Sequence, residues 1–316
     1  MRKLGTVSLA PAPPRARPER PSPARRVPTG AALAFIGLYC LFAYPLYQLA
    51  GFALTSELYS YILLIPAVSG YLAWLARDKI RGGGSAYRPL GLALVGLGLA
   101  GLLAAIWATL AGVTPPIEDR LALTTAAAVV STGGVAACFL SGAAFRTLLF
   151  PLGFLLFMVP LPTAAMAQME IFMQHGSAAV ARALFEAFGT TVFYQDLAFH
   201  LPGIHLQVAP ECSGIRSTLV LLILSVLASG FFLRSPGYRC LVVLAILPLA
   251  LARNGFRIFV IGELCVQLGP EMIDSMIHRR GGPIFFALSL VPLFLLLVLL
   301  KRRERQNPPR AAAFSS

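Results

Sequence analysis

The sequence predicts an all-α polytopic membrane protein of about eight transmembrane helices, with an outer amphipathic helix and a small β-hairpin. Three observations lead there. Of 316 residues, 57% are hydrophobic and only 12% charged, and mean hydropathy is +0.76. Few soluble domains hide that much apolar surface, whereas a chain that crosses a bilayer many times needs it. The apolar residues come in runs near the ~20 residues that span ~30 Å of hydrocarbon. The net charge of +13 sits at the ends of those runs, which is the positive-inside pattern and fixes topology. No basic surface interleaved with aromatics is present for stacking bases, so nucleic acid is excluded as a partner.

Residues 1–28 hold seven prolines among Arg15, Arg17, Arg20, Arg25 and Arg26. Such a stretch has no core and reads as a disordered cytoplasmic tail. The membrane domain runs over 29–300, and 301–316 is a second basic cytoplasmic tail that opens on Lys301, Arg302, Arg303 and Arg305. Within the domain, apolar spans are expected at Gly30–Ala50, Tyr59–Ala76, Leu90–Val113, Leu121–Leu140, Thr147–Pro162, Cys212–Leu233, Cys240–Ile261 and Pro283–Leu300. Pro151 and Pro160 leave Thr147–Pro162 the shortest of these.

Charge in the links orients the spans. Arg77, Lys79, Arg81, Arg88, Arg146, Arg234 and Arg239 fall on the side of both tails, whereas Glu57, Glu118 and Asp119 with Arg120 fall on the other. Eight spans with both termini inside satisfy every loop, and an odd number would strand the C-terminal basic cluster outside. Two outer segments remain. Ala164–Phe188 carries Gln168, His175, Arg182 and Glu186 at helical spacing, the pattern of an amphipathic helix at the outer interface. Thr190–Val208 is rich in β-branched and aromatic residues around Pro202-Gly203, a hairpin signal.

The candidate chemistry begins where that hairpin feeds the sixth span, at Pro210-Glu211-Cys212-Ser213-Gly214-Ile215-Arg216-Ser217. A cysteine in the first turn of a helix feels the positive end of the macrodipole, which favours thiolate. Arg216, four residues on, adds a second favourable charge, while Glu211 acts against it. The seventh span ascends from Cys240, so Arg257 lies ~25 Å up it, near the outer boundary. Arg253 lies one turn deeper, where pairing with Glu211 or Glu263 is the expectation; Asn254 follows it. An arginine within an apolar span is costly and marks a site facing protein or water, with snorkelling to the headgroups as the ordinary alternative for Arg257. His278 precedes the last span at the same level. A Cys, an Arg and a His from successive spans fit acyl transfer: thiolate attack, oxyanion stabilisation by a guanidinium, proton transfer by an imidazole.

The remaining candidates read as ordinary residues. Cys40, Cys138 and Cys240 fall in apolar runs, Cys265 lacks a helix-start position, and no CxxC or His–Cys metal spacing occurs. No metal or cofactor is therefore expected. His175, His200 and His205 lie on the outer side, each read as a solvated or interfacial polar residue.

The motifs Glu211-Cys212-Ser213-Gly214-Ile215-Arg216-Ser217, Asn254-x-x-Arg257-Ile258 and His278-x-x-x-Gly282-x-x-x-Phe286, with Pro160-Leu161-Pro162 upstream, resemble the exosortase/archaeosortase family. Two positions depart from its pattern: Arg253 stands where a small residue is usual, and Arg279 follows His278 where Asp is common. The resemblance implies a cysteine peptidase or transpeptidase of the bacterial inner membrane, with its active site facing the periplasm. Cys212 would be nucleophile, Arg257 oxyanion stabiliser and His278 general acid/base, supported by Glu211, Ser213, Gly214, Arg216 and Asn254. It also implies the substrate class: exported proteins with a C-terminal PEP-CTERM-like motif, a membrane helix and a basic tail, met among membrane lipids. Two other classes remain open on the residues alone: a transporter in which Arg253 and Arg257 bind an anion, and a non-catalytic scaffold for exopolysaccharide export. Substitution of Cys212 separates them.

Overall fold

The computed structural model describes residues 29–79, 85–208, 213–269, 271–272 and 282–306. The two expected tails, 1–28 and the end of 301–316, lie largely outside them, as do Glu211, Cys212 and His278.

The chain enters as α1 (Thr29–Leu41) and α2 (Ala43–Thr55), which meet at 62°. Pro45 explains the bend: its ring displaces the carbonyl of Leu41 and it brings no N–H to the ladder. Phe42 at the corner is fully buried and packs in a cluster with Ala127, Ala128 and Val135. A 3₁₀ turn, Ser60–Leu64, then leads into α3 (Ile65–Ala76), started by Pro66 in its first turn.

Next come α4 (Arg88–Leu110) and α5 (Ile117–Phe139), which pack backbone to backbone through glycines. A Cβ on Gly98 would stand 1.9 Å from the Ser131 hydroxyl and 2.5 Å from the Ala127 carbonyl. Only a glycine permits that approach, which is how helices pack where lipid removes the hydrophobic drive between them. Of the most apolar window of α5, 72% is buried, against 22–39% for the other long apolar helices, so α5 is the central post of the N-terminal half.

α6 (Gly142–Phe154) is capped by the Ser141 hydroxyl and continues as a 3₁₀ turn to Met158. After Pro160-Leu161-Pro162 the chain turns by 87° into α7 (Thr163–Phe188). Asp119, in the first turn of α5, accepts from both the backbone N–H (2.6 Å) and the hydroxyl (3.0 Å) of Thr163, so one carboxylate serves two helix N-termini. α7 is amphipathic as expected: Met173, Ser177, Ala178, Ala181 and Phe185 are buried, while Arg182 and Glu186 pair at 2.7 Å on the exposed side.

The hairpin is a three-stranded antiparallel sheet, β1 (Phe193–Gln195), β2 (Ala198–Leu201) and β3 (Ile204–Gln207). Pro202-Gly203 turns between β2 and β3, with Gly203 at φ +80° as a type II turn requires. The additional turn is Asp196-Leu197, both at positive φ (49° and 62°), the type I′ geometry. Leucine is a poor marker of that turn, which is why the sequence shows one hairpin turn where the molecule has two. Phe199, Leu201, Leu206 and Val208 bury one face of the sheet on Phe185 of α7 and on the next-to-last helix.

The C-terminal half is α8 (Ile215–Phe232), α9 (Pro236–Leu268) and α10 (Gly282–Gln306). Leu221, Leu233, Val242, Ile246, Leu293, Leu297 and Leu300 form their shared core. Glu304 closes it at one end, its carboxylate accepting the Arg234 and Ser235 backbone N–H groups at the start of α9. At 33 residues, α9 runs past its expected limit of Ile261 and is ~50 Å long, longer than a bilayer core.

Among the described residues five helices (α4, α5, α8, α9 and α10) are long and apolar enough to cross a membrane, and the bent pairs α1–α2 and α6–α7 raise that to seven. Eight is thus an approximate count. The difference lies in Ser60–Ala76, an apolar segment broken into a 3₁₀ turn and a 12-residue helix. Cys40 and Cys240 are exposed on their helices, outside the packed core expected for them; the plain reason is that a lipid-facing position tolerates a small apolar residue as well as a core does.

Candidate functional site

The N-terminus of α8 is built around a single carbonyl. Gly214 caps the helix in the left-handed conformation, φ +74°, and its oxygen accepts the Thr218 backbone N–H at 3.0 Å. The Thr218 hydroxyl (2.9 Å), the Ser217 hydroxyl (3.0 Å) and Nη2 of Arg253 (3.1 Å) converge on the same oxygen. Gly214 is required on two counts. A side chain there would adopt a strained backbone, and its Cβ would stand 2.8 Å from Oδ1 of Asn254 and 3.0 Å from Nη2 of Arg253. The start of α8 is therefore docked, with no room to spare, on the stretch of α9 that bears Arg253 and Asn254.

Both α9 residues are buried, Arg253 to 8% exposure and Asn254 to 2%. Nη2 of Arg253 also reaches the Thr218 hydroxyl at 3.4 Å, whereas Nη1 is buried with no hydrogen-bond partner among the described residues. The expected pairing of Arg253 with Glu263 does not occur. Glu263, nearly three turns beyond Arg253 on α9, instead accepts from the Thr190 hydroxyl and from Nε2 of Gln267 at 3.2 Å. Among the described residues, the guanidinium at that depth is held by carbonyl and hydroxyl dipoles; Glu211, the other expected partner, lies outside them. Arg257 follows one turn on, partly buried on the same helix.

Arg216 points elsewhere. Its Nη1 donates to Glu57 at 3.1 Å, across to the link between α2 and α3, with both side chains largely exposed. Ser213, one residue past Cys212, is 1% exposed, and its hydroxyl has no partner among the described residues. Gly214, Arg253 and Asn254 are thus brought together and Arg216 is turned aside; Cys212, Glu211 and His278 fall outside the described residues. Of the described histidines, none touches this junction: His175 contacts the Ile171 carbonyl at 2.9 Å, and His200 and His205 contact each other.

Sequence reasoning missed Thr218 and the convergence on the Gly214 oxygen. A glycine directly before an apolar helix was the available signal, since a left-handed cap presents its carbonyl to whatever packs beside it. Among the described residues no three His, Cys, Asp or Glu side chains converge in a metal-like group.

A family model described as transmembrane exosortase matches residues 53–295. No curated protein and no solved structure matches the chain.

Proposed function

The chain belongs to the transmembrane exosortase family, and on that premise we propose that it is a cysteine peptidase or transpeptidase acting on the C-terminal sorting signals of exported proteins. Cys212 is its nucleophile, Arg257 its oxyanion stabiliser and His278 its general acid and base. The observation that carries the reading is the docking of Gly214 onto Arg253 and Asn254. It fixes the segment that follows Cys212 against α9 one helical turn before Arg257, and in this reading the Cys212 thiolate and the Arg257 guanidinium serve one carbonyl.

The chemistry balances without a further reactant beyond the acceptor. The Cys212 thiolate adds to the scissile carbonyl carbon, and the carbonyl π pair moves to oxygen, which Arg257 stabilises. Collapse breaks the C–N bond; His278 protonates the departing amine, leaving a thioester on Cys212. Water or an amine, losing its proton to His278, then attacks the thioester and releases the thiolate. Arg253 acts as a positioning residue: it holds the Gly214 carbonyl, and through it the first turn of α8.

In this reading the substrate's basic tail stays on the cytoplasmic side with both termini of the enzyme, its helix packs laterally in the inner membrane, and its motif emerges at the periplasmic level of Cys212. The test is co-expression with a signal-bearing protein, followed by mass analysis of the product's new C-terminus. Wild type should release a shortened product, and Cys212→Ala should leave the substrate full-length while the enzyme stays inserted. Unchanged processing by Cys212→Ala would overturn the assignment. Labelling of Cys212 by an impermeant thiol reagent from the cytoplasmic side alone would overturn the orientation.

A further inference from the structure

The outer face of the β-sheet carries two histidines that the peptidase chemistry leaves unused. His200 on β2 and His205 on β3 are direct cross-strand partners, joined through the two-residue Pro202-Gly203 turn. Their Nδ1 atoms lie 2.6 Å apart, and the rings meet edge-to-face at 75° with centroids 4.6 Å apart. Strand alternation sends Phe199, Leu201 and Leu206 into the core, so both imidazoles stand on the opposite face. His205 is exposed, and His200 is half-buried beside the Phe193 ring at 5.6 Å. Gln195 and Gln207, two residues along on β1 and β3, occupy the same face.

From this geometry we propose that His200 and His205 form a bidentate site for a divalent first-row transition metal, with Cu²⁺ the tightest-binding ion. Two ligand nitrogens at ~2.0 Å from one ion lie roughly 3 Å apart, so the pair needs to open by only a few tenths of an ångström. That opening falls within side-chain torsion, because the antiparallel ladder and the tight turn hold both Cα atoms. Where one ring carries its proton on Nδ1, that proton moves to Nε2 of the same ring through solvent. Both Nδ1 lone pairs then face the ion, and no net proton is released from two neutral rings. Imidazole suits Cu²⁺ and Zn²⁺, Cu²⁺ heads the affinity order, and water completes a tetragonal N₂O₂ set on an open face. Sequence spacing alone conceals such a site, since its ligands become neighbours only through strand register. His205 stands seven residues before Cys212 in the chain, so a bound ion would tie down the strand that leads to the nucleophile.

The site is independent of the peptidase reading and is tested by binding. The full chain, free of any polyhistidine tag and carrying Cys212→Ala to remove a competing thiol, is titrated with Cu²⁺ in nanodiscs and followed by electron paramagnetic resonance. One equivalent should give a type 2 spectrum with coupling to two nitrogens. His200→Gln or His205→Gln should weaken binding by roughly 10²-fold or more, because each ligand delivers the other at high effective concentration. Cu²⁺ should raise the Tm of the parent and leave that of the double variant unmoved. His175→Gln and His278→Gln should keep the parent spectrum. Absence of a bound equivalent, its persistence in the double variant, or its loss in His278→Gln would each overturn the proposal.

Discussion

Glycine is used for opposite purposes in the two halves of this molecule. Between α4 and α5, Gly98 brings two helix backbones so close that a Cβ would enter the Ser131 side chain. The gain is packing, and the neighbours are small residues of a buried post. At the start of α8, Gly214 also brings a helix end into close contact with α9, but what it meets is Arg253 and Asn254. There the contact is polar, the backbone is left-handed, and the cost of burying a guanidinium is offset by dipoles from Gly214 and Thr218. Close approach in the first region holds the fold, and in the second it holds a candidate site.

The sharpest way to separate the regions is to remove chemistry without touching either contact. Cys212→Ala, Arg257→Ala and His278→Ala should each bring substrate processing to background, with thermal stability in detergent close to that of the parent. Residual cleavage near wild type in any one would remove that residue from the proposed mechanism.

The same substitution placed in each region comes next. Gly98→Ala forces α4 away from α5 at a backbone carbonyl that cannot yield, an overpacking cost of about 1–3 kcal/mol. It should lower Tm and the yield of inserted protein, while cleavage per folded molecule stays near the parent value. Gly214→Ala adds a left-handed alanine, about 1–2 kcal/mol, at the edge of the bundle. Its first effect should be on cleavage, a fall of roughly tenfold or more, since 1.36 kcal/mol lost from the transition state is tenfold in rate. If Gly214→Ala instead unfolds the protein while processing per folded molecule is unchanged, the contrast between the regions collapses.

Arg253 tests whether the polar contact positions the helix or merely fills space. Arg253→Gln removes a charge-assisted hydrogen bond of about 1.5–3 kcal/mol and should lower kcat roughly 10- to 100-fold with little change in KM. Arg253→Lys keeps one donor for the Gly214 carbonyl and should restore most of that loss. A role in packing alone predicts no such rescue, because both substitutions shorten the side chain.

How far these features were legible differs by region as well. Runs of apolar residues placed α4, α5 and α8 to within four positions and the start of α10 to within one, because a span needs length and little else; α10 itself continues through the basic cluster to Gln306. The break at Phe42 was written in Pro45, but composition smoothed over it and gave one straight span for α1 and α2. Pro202-Gly203 announced its turn; Asp196-Leu197 did not, since only register with the neighbouring strands forces Leu197 to positive φ. At the site, counting rise along α9 put Arg257 at the outer boundary with Arg253 one turn deeper, whereas the start of α8 at Gly214 docks on Arg253 and Asn254. Sequence could not show that Arg253 would donate to the Gly214 carbonyl, because that contact depends on which way Gly214 turns its oxygen.

Arg216 marks the lower bound of the series. Sequence spacing put its guanidinium over the first turn of α8, in support of a thiolate. The molecule turns it outward to Glu57, with side chains 57% and 91% exposed. An ion pair so open to solvent is worth about 0–1 kcal/mol and fades with salt. Arg216→Gln and Glu57→Gln should therefore each change Tm slightly and cleavage by less than about fivefold, with the double variant no worse than the larger single effect. A much larger loss confined to Arg216→Gln, with Glu57→Gln silent, would show that the guanidinium leaves Glu57 during turnover and acts at the helix start after all. The boundary between the fold-holding and site-holding regions would then have to include the α2–α3 link.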